Sequence, residues 1–280
     1  MSHRARRTTG LTLIEMTLVV ATMALLVGFA VPAVRTLVRS FHTHSGVQSM
    51  VEAALSSARA MAMSNQRYVG VRFQKLCTST NPLDPLQDVL NAPQYMIFIV
   101  HEEPKKLGGL ANGFRAMDGM EPIKLPDTMG VMDLTGIASD AAIDELFELS
   151  DATTFSIVFA PSGKLAVHEV RVRNRQGVYR PNNSPGSTQI ATDDVFNSVD
   201  NICRYRQGMF IQDDYSPRNG TNGADLGLGR ESSRTSFVIY DLPTLRAAYG
   251  SRMPWTAYLS KLKDEAFHVS PYAGSLIASR

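Results

Sequence analysis

Cysteine is scarce in this chain: Cys77 and Cys203 are the only two among 280 residues. Neither has a Cys or His neighbour at metal-ligand spacing, which removes the usual sequence signature of a metal site. Their even number leaves two readings open, a bridge that closes a long loop or two unrelated buried thiols. Charge imbalance is also small, with 28 Lys and Arg against 26 Asp and Glu. Taking Arg4, Arg6 and Arg7, which precede Leu11, from those 28 leaves 25 basic residues facing 26 acidic ones. Bulk attraction of the body to nucleic acid or anionic lipid is therefore not expected. Long apolar runs are absent but for residues 11–34, and the mean hydropathy of -0.09 excludes a polytopic membrane protein. As a helix that run is about 36 Å long at 1.5 Å per residue, against a hydrocarbon core of about 30 Å. No Ser-His-Asp or paired-carboxylate arrangement is identifiable, and "LGLGR" lacks the lysine and the strand–turn–helix context of a phosphate loop. No catalytic residue and no cofactor is assigned, so an enzyme is not expected.

What is present stands at the N-terminus. The stretch "RRTTGLTLIEMTLVVATMALLVGFAVPAV" carries one acid, Glu15, just inside its apolar run. An acid at the centre of a membrane helix costs about 2.5–3.5 kcal/mol. A secretory signal peptide has a shorter apolar core and a small-residue cleavage site after it, which this segment lacks. A plain signal anchor fits the basic start and the length, but leaves Glu15 unexplained. The third reading places cleavage before the apolar run, after Gly10.

The stretch "TGLTLIEMTLVV" resembles the prepilin-type cleavage and methylation motif of type IV pilins and type II secretion pseudopilins. The resemblance implies that a basic leader ends at Gly10, that prepilin peptidase cuts there, and that Leu11 becomes the N-methylated N-terminus. Glu15 is then the fifth mature residue, Thr12, Leu13 and Ile14 match the usual filler, and Leu11 replaces the commoner Phe. Pro32 sits where many members kink the helix. The chemistry is coherent from below. Cleavage creates a cationic amine with a pKa of about 7.7–8, and Glu15 lies one helical turn away on the same face. In a filament, the amine of one subunit can meet Glu15 of the next. The basic leader is expected on the cytoplasmic side by the positive-inside rule.

After Pro32 the pattern stays helical. Val47, Met50, Val51, Ala54, Ala58, Met61 and Ala62 recur at intervals of three and four, an amphipathic stripe suited to packing on a sheet. "YVGVRF", "YMIFIVHE" and "SFVIYDL" read as strands, and "FSIVFAPSGKLAVHEVRVRN" reads as a hairpin turning at Pro161, Ser162 and Gly163. "DAAIDELFEL" and "LPTLRAAYGSRMPWTAYLSKL" read as helical pieces. "ALSSARAMAMSNQRYVGVRF", "PIKLPDTMGV" and "SIVFAPSGKLA" resemble the H-type minor pseudopilins and the related minor pilins of competence systems. Residues from about 174 to 234 and the segment after Asp241 have no counterpart in that resemblance.

The expected architecture is α+β, a long N-terminal helix packed on an antiparallel β-sheet globular head. It divides into a cleaved leader (1–10), a transmembrane half of the helix (11–34), its amphipathic continuation (35–64) and a periplasmic or extracellular β-rich, pilin-like head with insertions (65–280). The expected place is the bacterial inner membrane, single-pass, with partners in other pseudopilins or pilins, prepilin peptidase and an inner-membrane assembly platform. The resemblance implies a minor pseudopilin of a type II secretion system, or alternatively a minor type IV pilin for pilus biogenesis, DNA uptake or adhesion. Two further sets of residues carry side readings. Arg171, Arg173 and Arg175 alternate on one strand, either as a phosphate-tracking stripe for DNA or as a solvated edge. Asp213, Asp214 and Asp225 read either as oxygen donors for Ca²⁺, in a spacing that matches no EF-hand, or as part of a flexible, Gly-rich connection.

Overall fold

The computed structural model describes residues 14, 16–23, 25–26, 44–107, 110–135, 145–177, 195–205, 209–213, 231–249, 258, 260–262 and 265–278. In chain order the body comprises α1 (His44–Asn65), β1 (Val69–Lys75), β2 (Gln94–His101), β3 (Gly113–Ala116), β4 (Ile123–Lys124) and β5 (Met129–Met132). There follow α2 (Leu146–Thr153), β6 (Phe155–Phe159), β7 (Leu165–Ala166), β8 (Glu169–Val172), β9 (Phe196–Asn197), α3 (Val199–Tyr205) and β10 (Phe210–Ile211). The chain continues through β11 (Glu231–Ser232), β12 (Ser236–Asp241), α4 (Leu242–Tyr249), β13 (Phe267–Val269) and β14 (Leu276–Ala278).

Helix α1 buries Val47, Val51, Ala54, Leu55, Ala58 and Ala62 in one stripe. The stripe narrows to alanine in its second half, so the backbone lies close to the sheet it covers. Ser49, Ser57 and Ser64 occupy outer positions, where their hydroxyls donate back to the carbonyls of Ser45, Ala53 and Met61. Gln66, at φ 52, takes the left-handed conformation that ends the helix.

The main sheet has the order β11–β8–β3–β2–β1–β6–β7, with β4 also paired to β2. Along β1 the alternation is strict. Val69, Val71 and Phe73 pack under α1, with Met96, Phe98 and Val100 of β2 and Phe155, Ile157 and Phe159 of β6. The other face carries Ile97, Ile99, Phe114, Val158, Val170 and Val172, and Phe196 and Phe210 cover it. A second sheet, β14–β13–β12–β5, shares the α1 core through Val131, Ile239 and Phe267. Its other face meets α2 and α4 through Leu149, Tyr240 and Leu245. Gln94 ties the two sheets. Its Nε2 donates to Val131 O at 2.9 Å and to Thr153 O at 2.8 Å, and its Oε1 accepts from Val131 N–H at 2.8 Å. Between β6 and β7 the chain turns at Gly163, whose φ of +76 suits glycine. Arg59 of α1 donates to its carbonyl at 2.9 Å, fixing the turn to the helix.

Two expectations are corrected here. The head is not an antiparallel sheet: β8 runs parallel to β3, and β9 runs parallel to β10, so the fold is mixed α/β. Among the described residues no helix is long and apolar enough to cross a membrane. The longest described run inside the apolar segment, residues 16–23, is helical; at 1.5 Å per residue it spans about 12 Å. Helix α1 has 22 residues, yet it is apolar on one stripe only. The long N-terminal helix with a transmembrane half, and with it the single-pass inner-membrane placement, is overturned on these grounds.

Candidate functional site

The far face of the main sheet holds a buried charged seam. Arg72 alternates with Val71 and Phe73 and therefore points away from α1; its side chain is 2% exposed. It pairs with Asp213 at 2.9 Å, and its Nε donates to Gln74 Oε1 at 2.7 Å. Gln74 in turn donates to Ile211 O at 2.7 Å, and Asp213 accepts from Val172 N–H at 2.6 Å. Asp213 thus joins β1, β8 and the end of β10. Burial pushes its carboxyl above the usual range, against the pull of Arg72 and of the Val172 N–H. Glu231, half-buried beside this pair, hydrogen-bonds Asp151, which requires a proton on one of the two carboxyls. Burial raises the Glu231 carboxyl well above its ordinary value, opposed by Arg72 and reinforced by Asp151 and Asp213. Asp133 and Arg234 form a further ion pair at 2.5 Å. The Arg72–Asp213 and Asp133–Arg234 pairs each match opposite charges across different elements of the chain.

A second hub closes the end of β2. Glu102, 4% exposed, accepts from Arg115 Nε at 3.0 Å, and from Arg67 NH1 and Lys106 Nζ at 3.2 Å each. Burial favours its protonated form, but the hydrogen bonds from Arg115, the Glu103 N–H and Lys106, with the charge of Arg67, hold its pKa down to about 2. A third feature is a cleft of about 390 Å³ lined by Lys75, Gln94, Lys124, Asp127, Tyr240 and Arg246. Lys75 enters it from β1, 6% exposed, donating to Leu90 O at 3.3 Å and Ala92 O at 3.0 Å. Lys124 and Asp127 pair at 2.7 Å on its rim.

The residues singled out by sequence are placed unevenly. Gly10, Leu11, Glu15 and Pro32 lie outside the described residues. Near them, Ile14, Leu18, Val20, Met23, Leu25 and Leu26 are helical and at least 61% exposed. Cys77 and Cys203 come together, both buried, with sulfurs 3.9 Å apart. The three arginines part company. Arg171 and Arg173 are buried at 5% and 4%, and Arg171 pairs with Glu169 at 2.9 Å. Arg175 is exposed and pairs with Asp118 at 2.7 Å. Asp213 is occupied by Arg72, while Asp214 and Asp225 lie outside the described residues. Among the described residues no group of three or more His, Cys, Asp or Glu is placed to hold a metal. Sequence reading missed Arg72, Lys75 and Glu102. The signal for Arg72 was a charge at the alternate position of the otherwise apolar "YVGVRF".

No family model, no curated protein and no solved structure matches the chain.

Proposed function

We propose that the chain is a minor pseudopilin, a structural and assembly subunit of a type II secretion pseudopilus. In this reading prepilin peptidase cuts after Gly10, Leu11 is N-methylated, and Glu15 receives the new amine of a neighbouring subunit. The spacing of Gly10, Leu11 and Glu15 within "TGLTLIEMTLVV" carries the proposal. The packing of the body supports it. Four apolar clusters close the head around its sheets, and among the described residues none includes one before Val47. Ile14 at 77% exposure and Leu26 at 67% therefore stand outside those clusters, open to other subunits. Such surface gains about 25 cal/mol per Å² when other subunits bury it. The buried charges described above are paired inward, which suits a subunit that works by packing and not by catalysis.

The test is processing followed by incorporation. The full chain is expressed with an active prepilin peptidase, and its N-terminal mass is read. The expected product begins at methylated Leu11. Gly10→Ala leaves the chain full-length. Glu15→Ala is processed normally but fails to enter cross-linkable filaments with other pseudopilins. A wild-type chain that stays unprocessed beside an active peptidase overturns the proposal.

A further inference from the structure

Cys77 and Cys203 lie on two different layers. Cys77 follows the end of β1, and Cys203 sits on α3, in the layer that covers the far face of the main sheet. Their sulfurs are 3.9 Å apart although the residues are 126 positions apart in sequence. Both are free thiols in the structure, and a disulfide places its sulfurs about 2.05 Å apart, so the bond needs the two sulfurs to close from contact distance to bonding distance. The described elements of that layer are short. Helix α3 has 7 residues, and β9 and β10 beside it have 2 each. A helix so short has no stability of its own. Beside the Phe196 and Phe210 contacts and the Asp213 ion pair already described, α3 packs against the end of β1 through a small cluster of Cys77, Val199, Ile202, Cys203, Met209 and Ile211, with the Cys77 N–H donating to Met209 O at 3.3 Å. The same layer leads directly to Asp213, the partner of Arg72.

We propose that Cys77 and Cys203 are a disulfide site, oxidised by a disulfide donor while the chain folds and then sealed inside as a clasp between β1 and α3. The exchange balances. One cysteine thiolate attacks the donor R–S–S–R, forming a mixed disulfide and releasing one RS⁻. The second thiolate attacks the protein sulfur of that mixed disulfide, forming the Cys77–Cys203 bond and releasing the second RS⁻. The two thiol protons end on two RSH, the cysteines lose two electrons, and the donor gains them. The timing follows from access and protonation. In the unfolded chain both thiols are reachable, with pKa values of about 8.5. In the folded chain burial raises Cys77, and burial with the neighbouring Cys77 and Asp200 pushes Cys203 up to about 12. Protonated, enclosed thiols are poor nucleophiles. The same enclosure keeps reductants from the finished bond.

The full chain, reduced in denaturant, is refolded in a mixture of reduced and oxidised glutathione, and in parallel in reduced glutathione alone. Free thiols are counted after denaturation, and linked peptides are mapped by mass spectrometry. The first sample is expected to hold no free thiol and one Cys77–Cys203 peptide pair. The second, once folded and then given the same glutathione mixture, forms the bond at least about ten-fold more slowly. Limited proteolysis supplies a reading independent of refolding: in chain purified without reductant, cleavage within residues 195–213 is slower than in the Cys77→Ala/Cys203→Ala variant. Two free or glutathione-capped thiols after oxidative refolding overturn the site. Equal oxidation rates before and after folding overturn the timing.

Discussion

Lys75 makes a quantitative test of the packing around the cleft. Burial first, and then the charge of Arg246, brings its pKa from 10.5 down to about 7, while Asp88 pulls the other way. Between those two values the unfolded chain holds a proton that the folded chain has released. Stability therefore rises with pH across that window, by up to about 1.4 kcal/mol per pH unit. Below the folded value both states hold the proton and the slope vanishes. From near pH 7 to near pH 9, Lys75 accounts for a gain of about 2 kcal/mol, since the folded group is half-protonated at the start. Lys75→Met keeps the length of the side chain and removes the titration. It also removes the donor to the carbonyls of Leu90 and Ala92, of which Ala92 lines the cleft. The assay is urea unfolding of both chains at the two pH values. Wild type should gain about 2 kcal/mol more than the variant over this interval. Arg246→Ala should shrink the difference, by raising the pKa of Lys75. Equal pH slopes in wild type and Lys75→Met refute the reasoning.

Three further outcomes are expected. Asp213→Ala should cost about 3–5 kcal/mol in urea unfolding by stranding the buried Arg72 guanidinium, whereas Arg72→Met/Asp213→Leu should recover most of it; equal losses in both variants contradict the ion-pair account. Glu102 has its pKa depressed to about 2, so its contribution is complete above the ordinary carboxylate value and is lost as pH falls towards about 2; acid titration of Glu102→Gln by circular dichroism should show a shallower loss over that interval. Gly70→Ala places a Cβ 2.5 Å from the Ile157 carbonyl oxygen, a backbone atom of the paired strand. A cost of about 1–3 kcal/mol from overpacking follows, read as a lowered thermal midpoint.

Local pattern carried much of the sheet and little of its connectivity. "YVGVRF" and "YMIFIVHE" became β1 and β2 because their alternation matches a sheet with one face under α1. The stretch 155–174 read as one hairpin, and only its first half is one. β6 and β7 pair around Pro161 and Gly163, whereas β8 leaves to run parallel to β3 and antiparallel to β11. Period-two alternation marks a strand and is silent about its neighbour. The helix read from Asp140 to Leu149 is described at Leu146–Thr153, where Glu145 and Glu148 form a reciprocal cap. The segment from about 174 to 234, to which sequence gave no role, contributes β9, α3 and β10 to the cover of the far face and β11 to the edge of the main sheet. A charge in β1 was visible at Arg72, but its partner lies 141 residues on, a pairing that only the folded chain reveals.

The main sheet ends on one side in β7 and on the other in β11, each 2 residues long. A ladder that short offers no template for a strand from another molecule. Copies of this protein can meet along these two edges without knitting their main sheets into one. Contact along these edges then rests on side chains, which can slide and rotate past one another, as continuous backbone pairing cannot. In the proposed filament, neighbouring heads meeting along these edges would therefore be held by side-chain contacts and not by a shared sheet.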